Sequence, residues 1–185
     1  MKDEVFAELR ENMEKSIQFL EKSFSKVRTG RASLALLDGI KVDYYGVPTP
    51  LNQVAGLSIP ESRTIMISPW DASIIGAIEK AIQKSELGLM PSNDGKIIRI
   101  NIPPLTEERR KELVKLVKKM AEECRVKLRN ARRDANEQFK ILKKENKISE
   151  DEMFTYQEKV QKEMDKYMER VESLLAAKEK EIMEI

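Results

Sequence analysis

Residues 106–146 of the chain read TEERRKELVKLVKKMAEECRVKLRNARRDANEQFKILKKEN, and this stretch decides the fold. It contains no glycine and no proline, the two residues that most disfavour the interior of a helix. Apolar residues recur in it at intervals of three and four: Leu113, Val117, Met120, Cys124, Leu128, Ala131, Ala135, Phe139 and Leu142. This spacing predicts a single amphipathic helix from Thr106 to about Asn146, roughly 60 Å long.

A helix of the same kind is predicted on each side of this stretch along the chain. Residues 3–29 carry an apolar stripe that stops at a glycine. Ser149 and Glu152 have the spacing of a capping box, which predicts the start of a third helix. The stripe of this helix is Met153, Tyr156, Val160, Met164, Tyr167, Val171, Leu174 and Ile182. Because helices cannot leave such stripes in water, we expect a three-helix bundle formed by residues 1–30 and 105–185.

The segment between these helices has a different composition. All seven glycines and all seven prolines of the chain lie between residues 30 and 104. Short runs at 40–44, 57–59, 64–68 and 96–102 predict strands, and residues 71–87 predict a helix. Asn93, Asp94 and Gly95 predict a tight turn before the last strand. We therefore expect an α+β protein, an elongated three-helix bundle with a small β/α/β domain inserted at residues 31–104.

The composition excludes several kinds of chemistry. The 185 residues include no histidine and a single cysteine. Without histidine there is no usual base for a serine or cysteine nucleophile and no imidazole ligand for zinc. No run of about 20 uncharged residues could span a bilayer, and the first residues lack the apolar core of a secretory signal. We therefore expect a cytoplasmic protein that is not an enzyme and holds no metal.

The net charge of +2 conceals a segregation of charge along the chain. Residues 1–30 and 31–104 are each neutral. Residues 105–147 contain fifteen basic and eight acidic residues, a net charge of +7. Residues 148–185 contain six basic and eleven acidic residues, a net charge of −5. The excess positive and negative charge therefore lies on two helices that are expected to pack side by side.

The basic residues of the second helix share one broad face, about 120° from its apolar stripe at about 100° per residue. They are Lys111, Lys118, Arg125, Arg129, Arg132, Lys140, Lys143 and Lys147, with Arg133 at the edge. Guanidinium groups match the geometry of phosphate. The pattern fits two alternatives equally well: an outward nucleic-acid-binding face, or a solvated face paired with the acidic third helix. Cys124 lies on the apolar stripe, which favours a core residue over a nucleophile.

Several motifs follow one another in a distinctive order. They are VRTGRAS at 27–33, YYGVPTPL at 44–51, IPPLTEERRK at 102–111, RNARRDAN at 129–136 and ISEDE at 148–152. Together they resemble the bacterial ribosome recycling factor family, and the likeness covers essentially the whole chain. Each motif alone is modest, but their ordered combination is highly specific. One departure is Met90 in the run LGLMP, where the family pattern has asparagine.

The resemblance implies an L-shaped protein whose small domain is hinged at the end of the bundle. It implies binding to the post-termination ribosome and, with elongation factor G and GTP, splitting of the ribosome into subunits that releases mRNA and deacylated tRNA. Contacts to large-subunit ribosomal RNA would come from Arg110, Arg129, Arg132 and Arg133. The hinge would consist of Arg28, Thr29, Gly30, Arg31, Ile102, Pro103, Pro104 and Leu105. No cofactor is implied, because GTP is used by elongation factor G, and we expect a monomer that does not contact a membrane.

Two other functions remain open from the residues alone. A coiled-coil adaptor or holdase would present the long charged helices to other proteins, with no dedicated arginine face and no sensitivity to ribosomal RNA. An enzyme is the least favoured alternative, because no nucleophile and base are recognisable together. Co-sedimentation with ribosomes across a salt series separates the first two functions.

Overall fold

The computed structural model describes residues 1–27, 29–85 and 88–184, and within it the chain separates into two units. The first, called here the helical unit, consists of Met1–Val27 and Arg110–Met183. The second, called the small unit, consists of Arg28–Arg109 with Glu184–Ile185. The domain limits expected from the sequence, at residues 30 and 105, stay a prediction.

The α-helices of the described chain are α1 (Lys2–Ser25), α2 (Ile75–Lys84), α3 (Glu107–Lys144) and α4 (Glu150–Met183). The helical unit is the predicted three-helix bundle of α1, α3 and α4. One aromatic cluster joins all three: the ring centroid of Phe139 lies 5.4 Å from that of Phe6 and 5.2 Å from that of Tyr156. Phe139 is fully buried. None of the described helices combines the length and the apolar character that crossing a membrane requires.

Both ends of α3 are set by local hydrogen bonds. At its start, Oγ1 of Thr106 accepts a hydrogen bond from the backbone N–H of Arg109 at 3.1 Å, so Thr106, where the helix was predicted to begin, is its N-cap. At its end, Asn146 adopts a left-handed conformation with φ of 58°, and the N–H of Lys147 donates to the carbonyl of Leu142 at 2.9 Å. This is a Schellman closure, in which asparagine takes the position usually held by glycine.

Of the other two long helices, α4 begins as predicted and α1 ends earlier than predicted. The capping box of α4 is confirmed: Oγ of Ser149 accepts from the N–H of Glu152 at 3.1 Å, and Oε2 of Glu152 accepts from the N–H of Ser149 at 2.8 Å. The predicted end of α1 is wrong, since α1 ends at Ser25, several residues before Gly30. Its last turn tightens into bonds of the 3₁₀ type, in which the N–H of Val27 donates to the carbonyl of Phe24.

The apolar stripe of α4 differs from the predicted one near its end. Leu175 is buried in place of Leu174, and the side chain of Lys178 is buried as well. The ammonium group of Lys178 lies 3.5 Å from a carboxylate oxygen of Glu181 one turn later. The ideal spacing of apolar positions drifts over 34 residues, so the later positions of a long stripe are the least certain to be predicted.

The small unit contains two antiparallel sheets. Strands β1 (Lys41–Tyr44) and β2 (Val47–Pro50) form a hairpin. Strands β3 (Ala55–Glu61), β4 (Thr64–Pro69), β5 (Pro91–Asn93) and β6 (Ile98–Asn101) form a sheet in the order β3-β4-β6-β5. The fully buried members of its core include Ile65, Ile67, Ile98 and Ile100 of the sheet and Ile78 and Ile82 of α2. The predicted α+β class is confirmed.

Strands β2 and β5 were not predicted from the sequence. The helix predicted at 71–87 is shorter than expected. Strand β2 contains Pro48 and Pro50, and β5 begins with a proline, so both resemble turns. The helical segment is a 3₁₀ turn at Ala72–Ile74 followed by α2, which ends at Lys84. Residues 86 and 87, at the end of the prediction, lie outside the described residues.

Candidate nucleic-acid interface on the helical unit

Three arginines lie within about one turn of α3: Arg129, Arg132 and Arg133. They are called here the arginine surface. Arg129 and Arg132 are half-buried, and Arg133 is exposed. Because α3 runs through them without interruption, their Cα positions are fixed relative to one another by the helix itself. The family resemblance implies that all three contact ribosomal RNA, and this role stays a prediction.

Arg132 is held by the neighbouring helix. Its Nη1 donates to Oε1 of Gln161 on α4 at 3.2 Å, and Nε2 of Gln161 donates to Oδ1 of Asp165 at 2.9 Å. The Nε of Arg132 and the Oδ1 of Asn136, one turn further along α3, are buried and have no hydrogen-bond partner within the described chain. The guanidinium of Arg132 is therefore oriented from one side and keeps donors that the protein does not satisfy.

Glu122 links Arg129 to Arg125. Its Oε1 accepts from Nη1 of Arg129 and its Oε2 from Nη1 of Arg125, both at 3.0 Å. These hydrogen bonds, that of Arg129 first, lower the pKa of the Glu122 carboxyl. Arg125 also donates from Nε to Oε1 of Glu172 on α4 at 2.8 Å, and only 19% of its side chain is exposed. Arg125 therefore ties α3 to α4, whereas Arg129 is engaged by a carboxylate of its own helix.

Arg133 belongs to the arginine surface, whereas Arg110 lies far from it along α3. Arg133 forms no hydrogen bond or ion pair with any part of the chain that the structure describes. Arg110 lies in the first turn of α3, 19 residues before Arg129 and thus about 28 Å away along the helix axis. It is half-buried, and its Nε is buried with no hydrogen-bond partner in the described chain. Arg110 therefore stands apart from the arginine surface.

One flank of the predicted basic face is turned towards α4. Lys118 lies 3.9 Å from Glu179, and Lys143 lies 3.5 Å from Glu150. Together with the pair of Arg125 and Glu172, these contacts join the basic helix to the acidic one. The inner flank of the basic face is thus paired with α4, as in the second alternative drawn from the sequence. The outer part contains Arg133, and its binding of nucleic acid stays a prediction.

The structure confirms Cys124 as a core residue. It is buried on α3, and its Sγ donates to the backbone carbonyl of Ser16 on α1 at 3.5 Å. Burial raises the pKa of the Cys124 thiol. A neutral, enclosed thiol is a poor nucleophile, so this group contributes to packing.

The predicted hinge segments are anchored within the small unit. The N–H of Ala32 donates to the carbonyl of Ser62 at 2.7 Å, and the N–H of Ile102 donates to the carbonyl of Arg63 at 2.8 Å. Ala32 directly follows the segment predicted at 28–31, and Ile102 begins the segment predicted at 102–105. Both acceptors lie in the turn between β3 and β4, so this turn holds the chain where each segment joins the small unit. Arg28, the first predicted hinge residue, lies outside the described residues. The role of these segments as a hinge stays a prediction.

The residues that orient Arg132 were not predicted from the sequence. Gln161 and Asp165 are four residues apart on α4 and lie among acidic and basic residues that look like an ordinary solvated surface. Nothing in the sequence shows which residue of α4 faces Arg132, because that depends on the register between the two helices. Asn136 carried a weak signal, since it belongs to the RNARRDAN motif.

Comparison with known proteins agrees with this architecture. The profile of the family described as Ribosome recycling factor matches residues 20–183. A ribosome-recycling factor of Syntrophus aciditrophicus is 74% identical over 185 residues, which is the whole length of both chains. Another, of Desulfatibacillum aliphaticivorans, is 62% identical over 180 residues and 97% of each chain.

Solved structures give the same result. A solution structure of the ribosome recycling factor aligns with a TM-score of 0.80 and 44% sequence identity, covering 100% of this chain and 98% of that one. A second, with a TM-score of 0.68 and 47% identity, covers 100% of both chains. It comes from models of the T. thermophilus ribosome recycling factor and the E. coli elongation factor G bound to the E. coli post-termination complex. On its sequence and on its fold alike, the chain belongs to the ribosome recycling factor family.

Proposed function

We propose that this chain binds the post-termination ribosome through the arginine surface of α3 and, with elongation factor G and GTP, splits it into subunits so that mRNA and deacylated tRNA leave. The observation that carries the proposal is the arrangement of Arg129, Arg132 and Arg133 on one rigid helix. Arg133 is exposed and unpaired within the described chain, and Arg132 keeps an unsatisfied buried donor. Such groups favour an anionic ligand.

The arginine surface suits a folded RNA better than a particular base sequence. Guanidinium groups on one face of a helix meet phosphates, and phosphate contacts position a protein without reading bases. A rigid helix brings these contacts to a fixed geometry, so the protein would dock in one orientation on a structured RNA. Arg110 would add a contact about 28 Å further along α3.

The partners of the proposed function follow from relatives of the chain. A related factor and elongation factor G are described together on the post-termination complex, which supports the same pairing here. In this proposal elongation factor G binds and hydrolyses GTP, and the chain itself forms and breaks no covalent bond. It would act in the cytoplasm, as a monomer, on large-subunit ribosomal RNA.

The predicted hinge would give the small unit its part in this function. Prolines fix φ and remove a backbone donor, so Pro103 and Pro104 restrict one connecting segment. Gly30 leaves the other segment more freedom. We infer that the two segments limit the motion of the small unit without preventing it, so that a push from elongation factor G would reach the ribosome.

Replacing single arginines with alanine and measuring ribosome binding and subunit splitting tests the proposal. Arg132→Ala should weaken binding to purified ribosomes and slow subunit splitting by elongation factor G. The slope of log affinity against log salt should become shallower by about one for each phosphate that the variant no longer neutralises. Lys119→Ala, which removes an exposed cation from another side of α3, is the matched control. Binding and splitting unchanged in Arg132→Ala, Arg129→Ala and Arg133→Ala alike would contradict the proposal.

A further inference from the structure

We propose that the helical unit has a second RNA-binding site, in a groove between α1 and α4, which takes the phosphate backbone of an RNA strand. The groove has a volume of about 420 Å³. Its cations are Lys2 and Arg10 of α1 and Lys159, Lys162 and Lys166 of α4. We call it the lysine groove. The inference rests on the proposed function in one respect, which is that the RNA is ribosomal.

The charge of the groove is strongly positive. Its five cations face two carboxylates, those of Asp3 and Glu163. The carboxylate of Glu163 lies 3.4 Å from Arg10 and 3.9 Å from Lys166, so two cations already surround it. The groove therefore keeps a surplus of positive charge after its internal ion pairs have formed. A concave surface lined by one sign of charge concentrates ions of the opposite sign.

Three of the lysines are not neutralised by the protein. Lys2, Lys159 and Lys162 form no ion pair with any residue in the described ranges. The ammonium groups of Lys2 and Lys159 lie 5.6 Å and 6.0 Å from the ring centroid of Tyr156, which is buried. Two unpaired ammonium groups, one from α1 and one from α4, therefore lie near the same ring in the wall of the groove. The ring attracts a cation but does not cancel its charge, so both ammonium groups stay available to an anion in the groove.

The basic residues of the acidic helix α4 are concentrated at this groove. Residues 148–185 carry a net charge of −5, yet three of their six basic residues, Lys159, Lys162 and Lys166, line this groove. Lys159 and Lys166 are two turns apart, about 10 Å along the axis of α4, which exceeds the rise of about 3.4 Å per nucleotide of one strand along the axis of a B-form duplex. The row can therefore meet more than one phosphate of the same strand. The ammonium group of lysine is a point charge on a flexible side chain, so it can bind a phosphate from several directions.

The lysine groove is separate from the arginine surface. Gln161, which holds Arg132, points to the α3 side of α4, whereas Arg10 of α1 meets Glu163 on the other side. At 100° per residue, Lys159 lies about 160° around α4 from Gln161. The acidic helix α4 is thus flanked by two basic surfaces. Two separate contacts to one large RNA would strengthen binding more than either contact alone, because the second forms within the bound complex.

The test compares two double variants that each remove two positive charges. Lys159→Gln with Lys166→Gln changes the groove, and Lys22→Gln with Lys119→Gln changes exposed lysines of α1 and α3 that make no ion pair in the described chain. Equilibrium binding to purified large ribosomal subunits is measured across a salt series. The groove variant should lose about tenfold in affinity at low salt, and its salt slope should be shallower by roughly 1.4, twice the value of about 0.7 per phosphate of a single strand. The control variant should match the wild type.

The outcomes separate this inference from the proposed function. Wild-type affinity and slope in the groove variant, with normal binding by the wild type, would overturn the lysine groove alone. No binding of large subunits by the wild type would overturn the proposed function together with the groove. A photo-crosslinking residue in place of Lys162 should attach to ribosomal RNA; attachment to ribosomal protein alone would overturn the assignment of RNA as the ligand. Circular dichroism of each variant confirms that it is folded.

Discussion

Nη1 of Arg132 on α3 lies 3.2 Å from Oε1 of Gln161 on α4, and Gln161 is itself held by Asp165 at 2.9 Å. This chain of hydrogen bonds fixes one edge of the guanidinium against the acidic helix. A long side chain loses considerable rotamer entropy when it binds a ligand, and part of that loss has already occurred where the side chain is held in advance. Gln161 is therefore a positioning residue for Arg132.

Replacing Gln161 with methionine should weaken ribosome binding without removing any charge. The loss of one hydrogen bond of about 1 kcal/mol predicts an affinity roughly three- to tenfold lower. Gln157→Met, one turn earlier on α4, is the control, because the structure records no hydrogen bond for the Gln157 side chain within the described chain. Equilibrium binding to ribosomes gives the measurement.

A double-mutant cycle distinguishes positioning from a general effect on the bundle. If Gln161 acts through Arg132, the Gln161→Met change should have little further effect on binding in an Arg132→Ala background. Equal losses in both backgrounds would show that Gln161 acts independently of Arg132. Thermal unfolding of all four proteins shows how much of each change reflects stability.

Glu122→Gln should strengthen RNA binding. The carboxylate of Glu122 accepts a hydrogen bond from Arg129 at 3.0 Å and so competes with phosphate for this guanidinium. Removing its charge should increase affinity for ribosomes roughly two- to fivefold at low salt, in keeping with the strength of exposed ion pairs, and should steepen the salt dependence. Glu123→Gln, on the next residue but another side of α3, removes the same charge as a control. Weaker binding by Glu122→Gln than by the control would mean that Glu122 orients Arg129 instead.

Much of the helical unit could be predicted because its signals are local. The capping box at Ser149 depends on residues within one turn of each other, and the absence of glycine and proline over α3 is visible without knowledge of packing. The end of α1 was not predicted because no glycine or proline near Ser25 marks the end of a helix. Its 3₁₀ turn forms where Val27 becomes buried, and burial of that kind depends on packing.

The small unit shows where local signals mislead. Prolines at Pro48 and Pro50 indicate a turn, yet β2 is tolerated because it pairs on one side only, with β1. In the same way, β5 forms an edge of the larger sheet and pairs with β6 alone. Only the pairing of each segment with its neighbouring strand, β2 with β1 and β5 with β6, shows that these proline-containing segments are extended.

The candidate site was predicted in its residues but not in its connections. Helical spacing alone brings Arg129, Arg132 and Arg133 together, since it depends on one helix. The contact of Arg132 with Gln161 requires the register between two antiparallel helices, which is set by the turn between α3 and α4. The shift of burial from Leu174 to Leu175 shows that even a correct stripe does not supply this register.

Ser149→Ala should destabilise the helical unit by about 1 kcal/mol, because it removes the acceptor for the N–H of Glu152 at the start of α4. In a chain of this size the melting temperature should fall by roughly 2–4 °C. Ser173→Ala, at an exposed position inside α4, is the matched control and should be neutral or slightly stabilising, since alanine favours helix interiors. A melting temperature for Ser149→Ala equal to that of the control would contradict a stabilising capping box.

The ion pair between Glu14 of α1 and Arg170 of α4 should make the bundle's stability depend on acid. Arg170 donates to both oxygens of Glu14, at 2.7 Å and 3.2 Å, and these hydrogen bonds are the first cause of the lowered pKa of Glu14. A carboxyl whose pKa is lower in the folded state stabilises the fold above its unfolded pKa and loses that contribution as the pH falls through the folded pKa. Glu14→Gln should therefore cost a few tenths to about 1 kcal/mol at pH 7 and much less at pH 3, as measured by chemical unfolding. Glu158 is an exposed residue of α4 without an ion pair in the described chain, so the effect of Glu158→Gln on the free energy of unfolding should not change between pH 7 and pH 3. An effect of Glu14→Gln that stays constant with pH would refute the contribution of the ion pair.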